Sequence, residues 1–127
     1  MGAIIGMNHF TVLADDLEKT RAFYELLGLR VGDRPPLRFP GLWLYAGGHP
    51  VLHVIARDVL PAERRGVLDH MAFSARGLVG LVERLRAASI DHEVREQPGS
   101  SIRQLFLFDP NGARVELDFD PSEPLPV

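Results

Sequence analysis

The 127-residue chain predicts an α+β fold built from two tandem βαβββ modules. Three observations lead there. An apolar segment with histidine in third place, Met7-Asn8-His9-Phe10-Thr11-Val12, recurs as Leu68-Asp69-His70-Met71-Ala72-Phe73. A second apolar run with one ligand-type side chain, Val51-Leu52-His53-Val54-Ile55, recurs at nearly the same interval as Arg114-Val115-Glu116-Leu117-Asp118. Between these landmarks the strand and helix signals follow the same order twice, as a duplicated unit requires.

In module one, residues 5–56, Ile5 to Ala14 reads as a strand, and Asp15 or Asp16 then caps a helix whose apolar face is Leu17, Ala22, Phe23, Leu26 and Leu27. Gly28 stands where a helix C-cap needs a left-handed residue. Leu29 to Arg34, Leu42 to Ala46 and Val51 to Ala56 are short strands, parted by Pro35-Pro36 and by Gly47-Gly48-His49-Pro50. A polar linker covers residues 57–67. Module two, residues 68–119, restarts the order with a strand from Leu68 to Ser74 and a helix from Leu78 to Ala88 that faces inward through Leu78, Leu81, Val82 and Leu85. Its remaining strands are Glu93 to Gln97, Ile102 to Phe108 and Ala113 to Phe119, the last two joined by the turn Asp109-Pro110-Asn111-Gly112. The proline-rich tail, residues 120–127, reads as a frayed end or a contact arm. The whole is expected to be one domain.

Composition narrows the function. There are no cysteines, which excludes thiol nucleophiles and leaves only His, Asp and Glu to build a metal site. Fourteen basic against 17 acidic residues give a net charge of −3 without a basic block, so nucleic acid is not an expected partner. No apolar run is long enough to span a membrane, and the N-terminus lacks the charged start of a secretion signal. A soluble, cytoplasmic protein acting on a small molecule is the expectation.

Side chains alternate across a strand, so His9 shares a face with Thr11, His53 with Val51 and Ile55, His70 with Ala72, and Glu116 with Arg114 and Asp118. A carboxylate between Val115 and Leu117 must be solvated, paired or metal-bound, because burying it bare costs several kcal/mol. A strand histidine taken alone is ordinary. Repetition at matching places makes His9, His53, His70 and Glu116 a candidate set for a divalent metal, Fe, Zn, Ni or Mn. His49 in a turn and His92 at a strand start lack that support. Gln104 and Phe106 share a strand face, and Phe39, Trp43 and Tyr45 offer aromatic walls for a substrate; Arg103 and Arg57 are candidate anchors for an anionic group.

These segments, with Ala22-Phe23-Tyr24-Glu25-Leu26-Leu27-Gly28-Leu29 and Phe108-Asp109-Pro110-Asn111-Gly112-Ala113-Arg114-Val115-Glu116-Leu117, resemble the vicinal oxygen chelate superfamily of glyoxalases, bleomycin-resistance proteins and extradiol dioxygenases. The resemblance implies that the modules curl into a half-open barrel. His9, His70 and Glu116 then match the family's metal ligands, and His53 stands where glyoxalases carry another carboxylate, as a fourth ligand or a group behind the ligands. It also implies catalytic roles for Glu116 and His53, and modules that pair within one chain or across two, the homodimer being the expectation.

Members share a metal that takes two neighbouring substrate oxygens and stabilises developing negative charge. Leu13 replaces the arginine of the glutathione-using glyoxalases. Thr11 matches a threonine of fosfomycin-modifying enzymes, whereas Phe106 replaces their tyrosine and that of the extradiol dioxygenases; Glu96, Ser100 and Ser101 match the fosfomycin pattern only in part. The expected activity is therefore that of a glyoxalase-like lyase or isomerase on a small oxygenated metabolite, with an Fe(II) ring-cleaving dioxygenase and a metal-free binding protein as alternatives.

Overall fold

The computed structural model describes residues 2–127. The chain divides into two compact units that part at Leu60 and Pro61, inside the expected linker. The first contains β1 (Phe10–Ala14), α1 (Leu17–Leu27), β2 (Arg30–Gly32), β3 (Gly41–Ala46) and β4 (His49–Ala56). The second contains β5 (Met71–Ser74), α2 (Leu78–Ala87), β6 (Glu93–Glu96), β7 (Arg103–Phe108) and β8 (Arg114–Phe119). Each is βαβββ, and the sheet orders correspond: β1-β4-β3-β2 and β5-β8-β7-β6. In both, the first strand lies parallel to the last and the other pairs are antiparallel.

Alternation sorts each sheet into two faces. In the first unit Val12, Ala14, Leu44, Leu52 and Val54 are buried together with Phe23 and Tyr24 of α1. In the second, Met71, Leu105, Leu107, Val115, Leu117 and Phe119 are buried together with Leu78, Leu81, Val82 and Leu85 of α2. Burial of each such side chain contributes about 1.5–3 kcal/mol. His53 and Glu116 have the opposite parity, so packing the apolar faces turns both away from the helices. Gly41 permits close approach of β3 to β4, since a Cβ there would collide with the Val54 carbonyl.

Several boundaries move. β1 begins at Phe10 instead of Ile5, and β5 at Met71 instead of Leu68, so His9 and His70 immediately precede their strands. Ile4, Ile5, Val67 and Leu68 are all exposed. β4 starts at His49, leaving Gly47-Gly48 as the turn. The buried face of α1 runs through Thr20, Phe23 and Tyr24, while Ala22 is exposed.

The helices are capped differently. Asp16 accepts a hydrogen bond from the Lys19 amide at 3.1 Å, and Gly28 closes α1 at φ 114°. α2 has Gly77 at its N-cap and no local side chain to serve it. Instead the Glu123 carboxylate accepts from the amides of Gly77 at 3.0 Å and Leu78 at 2.8 Å. The tail, read from sequence as a frayed end or a contact arm, is thus tied to α2, with Arg86 donating to the Val127 carbonyl at 2.9 Å.

Candidate functional site

In the first unit three rings form a column on the sheet face opposite α1. Trp43 and His53 are cross-strand partners, and their rings stack at 4.0 Å with 10° between planes. The other side of His53 is covered by His9, at 3.6 Å and 14°. His9 Nδ1–H donates to the Asn8 amide oxygen at 2.7 Å, which leaves the lone pair on Nε2. His53 Nε2 is buried without a hydrogen-bond partner. Burial first, and then the nearby His9, hold the His53 imidazole below the usual histidine range, keeping it neutral and able to ligate.

In the second unit the histidine faces a carboxylate. His70 Nε2 lies 2.9 Å from Glu116 Oε1, and Gln104 Nε2–H donates to Glu116 Oε2 at 3.2 Å. Glu116 is only 7% exposed, so its charge must be met locally. On the far side of the ring, His70 Nδ1–H donates to Asp69 at 2.7 Å, and Arg114 reaches the same carboxylate oxygen at 3.0 Å. Hydrogen bonds from these two groups hold the Asp69 carboxyl below its ordinary range. Asp118, one place along the same face, is pushed up to about 6 by burial, with Glu116 adding a shared hydrogen bond and charge repulsion.

This geometry tests whether a cation fits. With Nδ1 protonated, a neutral His70 turns its Nε2 lone pair toward a buried carboxylate oxygen, an opposition that only a proton or a cation between them relieves. Two ligands at right angles on one ion, each about 2.1 Å away, stand about 3 Å apart. His70 and Glu116 satisfy that spacing, and the nitrogen and oxygen donors suit a first-row divalent metal. Among the described residues no group of three or more His, Asp or Glu is placed to hold a metal ion, so the expected set of four stands as two pairs, one per unit.

The other expected residues separate. Thr11 is exposed and pairs with His53 in register. Phe106 lies opposite Glu116 across β7 and β8, with Arg114 and Arg95 4.6 and 4.7 Å from its ring centre. Gln104 serves Glu116. Phe39 packs against Arg34, whose guanidinium lies 5.1 Å from the ring centre, and the Tyr45 hydroxyl donates to the Asp33 carbonyl. Arg103 lies by strand parity on the opposite face from Gln104 and Phe106, and it pairs with Glu96 at 3.2 Å and with the carbonyls of Glu123 and Ser101. Arg57 donates to the adjacent Ala56 carbonyl. His49 and His92 are each hydrogen-bonded to a backbone carbonyl, of Asn8 and Ile90. Sequence reasoning missed Asn8 and Asp69 as orienting groups, although both directly precede a histidine of the repeat.

Residues 6–117 match the family described as the Glyoxalase/Bleomycin resistance protein/Dioxygenase superfamily. The chain is 25% identical over 122 residues to the Arabidopsis thaliana protein Glyoxylase I 4, covering 90% of this chain and 70% of that one. Among solved structures, a glyoxalase family protein from Enterococcus faecalis is similar with a TM-score of 0.67 and 27% identity, over 89% of this chain and 96% of that one. The genomically encoded fosfomycin resistance protein FosX from Listeria monocytogenes has a TM-score of 0.72 and 21% identity, over 91% of this chain and 93% of that one, which shows a common fold.

Proposed function

The chain belongs to the Glyoxalase/Bleomycin resistance protein/Dioxygenase superfamily, and from that premise we propose that it is a metal-dependent lyase or isomerase of the glyoxalase type, acting on a small oxygenated metabolite. The observation that carries this reading is the buried Glu116 carboxylate 2.9 Å from Nε2 of His70. His9 and His53 are the ligands offered by the first unit, and His70 and Glu116 those offered by the second. The chemistry a divalent cation supplies when bound is Lewis-acid polarisation of two neighbouring substrate oxygens.

The rest falls to the chain's own groups. Glu116 takes the proton from a hydroxyl-bearing carbon next to a substrate carbonyl and returns it to the carbonyl carbon, while the hydroxyl proton passes to the former carbonyl oxygen, so that the net change is an isomerisation. Gln104 fixes Oε2, leaving Oε1 as the working oxygen. Asn8 and Asp69 hold the Nδ1 side of the two rings, which makes Nε2 the ligating nitrogen of each. Phe106, opposite Glu116 in register, borders the place where substrate lies. Phe106 lacks the hydroxyl that the extradiol reading wants, which is why isomerase chemistry is preferred to ring cleavage. No helix among the described residues is long and apolar enough to cross a membrane. We place the protein in the cytoplasm as a homodimer.

Elemental analysis of protein purified without chelator tests this reading. Stoichiometric divalent metal is expected in the native protein and a loss of it in His9→Ala and Glu116→Ala. Equal metal content in native and variant proteins, or none in either, sinks the metal-dependent enzyme and favours a binding protein without turnover.

A further inference from the structure

Trp43 was expected to wall a substrate; its ring also lies against a histidine. The indole lies 4.0 Å from the His53 imidazole and nearly parallel to it, from the neighbouring position on β3. His9 closes the opposite side at 3.6 Å. An imidazole reorients by rotation about χ2, which swings its edge out of plane; a ring covered on both faces has no room to do so. A hydrogen bond to the Pro50 backbone ties the ring at one edge, but Nε2 has no partner, so the direction of that nitrogen is left to the stacking rings. His70 is restrained differently, by Asp69 and Glu116 in the plane of its ring.

The two walls of the column are unequal. His9 is exposed and precedes β1, so it is free to adjust. Trp43 is large, half-buried and held in the middle of a paired strand. Parallel rings at 3.6 Å must fan apart slightly for both histidines to direct Nε2 at one ion, and the stiffer wall decides which ring moves.

We propose that Trp43 is a positioning residue for His53: it clamps the imidazole by stacking, presents Nε2 in a fixed direction, and leaves His9 as the ring that adjusts when a metal is taken. This rests on His53 being a metal ligand, as proposed above. The chain has a single tryptophan, so its fluorescence reports on this column alone.

The test compares the native protein with Trp43→Ala and Trp43→Phe by two measurements. Zn(II) affinity is measured by competition with a chromophoric chelator; Trp43→Ala should weaken it by about tenfold or more and Trp43→Phe by only about threefold, the size typical of removing or trimming a group that orients a ligand. The His53 ring-proton signals are followed by NMR in metal-free protein; the upfield shift caused by the aromatic neighbour should vanish with broadening in Trp43→Ala and survive in part in Trp43→Phe. Zn(II) should also change the Trp43 fluorescence of the native protein, and fail to do so in His53→Ala. Unchanged affinity together with unchanged His53 signals in Trp43→Ala overturns the proposal, as does a loss in Trp43→Phe equal to that in Trp43→Ala. If the native protein takes no Zn(II), the metal reading falls, and the NMR comparison alone decides whether Trp43 clamps His53.

Discussion

The two units share a topology down to strand order, yet they hold their candidate ligand pairs by different forces. His9 and His53 are held by ring stacking, with Trp43 as backing and no ion pair between them. His70 and Glu116 are held by charge and directed hydrogen bonds, in a chain that runs from Arg114 through Asp69 and His70 to Glu116 and Gln104. A duplicated backbone thus fixes where a side chain emerges without fixing how it is restrained. Stacking suits two neutral rings, which cannot neutralise each other; a buried carboxylate needs donors.

The sharpest way to break this comparison is at the carboxylate. Glu116→Gln keeps the shape and the neighbours but removes the base, and turnover should fall by about 10²- to 10⁴-fold in a steady-state assay, while His53→Gln should act mainly on metal content. Next in size is stability. His70→Ala leaves Glu116 buried beside a lost partner and should cost about 1–3 kcal/mol in urea unfolding. His9→Ala, at an exposed position, should stay within about 0.5 kcal/mol; equal losses would show that the two pairs are not held differently. Asp69→Asn makes the second unit resemble the first at its orienting group, and Zn(II) affinity should drop by about tenfold with little change in fold. The smallest effect concerns the caps: Glu123→Ala should lower stability by about 1 kcal/mol, much as Asp16→Ala does, although one cap is remote and the other local.

What was legible in the chain follows from what acts locally. Asp16, Gly28 and the Asp109-Pro110-Asn111-Gly112 turn could be read directly, because each works within a few residues: the Asp109 carboxylate accepts from the Asn111 and Ala113 amides at 2.8 Å, and Gly112 takes φ 93°. The faces of His53 and Glu116 followed from alternation, and the repeat located both pairs. Strand starts were less legible, since Ile4-Ile5 and Val67-Leu68 are as apolar as strand residues while lying exposed before β1 and β5. The roles of Trp43, Arg103 and Glu123 depend on partners across strands or far along the chain. Arg103 could have been set aside by parity alone, which places it with Leu105 and Leu107; Glu123 could not, since nothing near it signals a helix cap.

That remote cap gives the two units different histories on the ribosome. α1 carries Asp16 at its own start, so its first turn can close as soon as that stretch emerges. α2 finds its cap only in a carboxylate 45 residues downstream of Leu78, so that increment of stability, about 1 kcal/mol, arrives only once that stretch has been made.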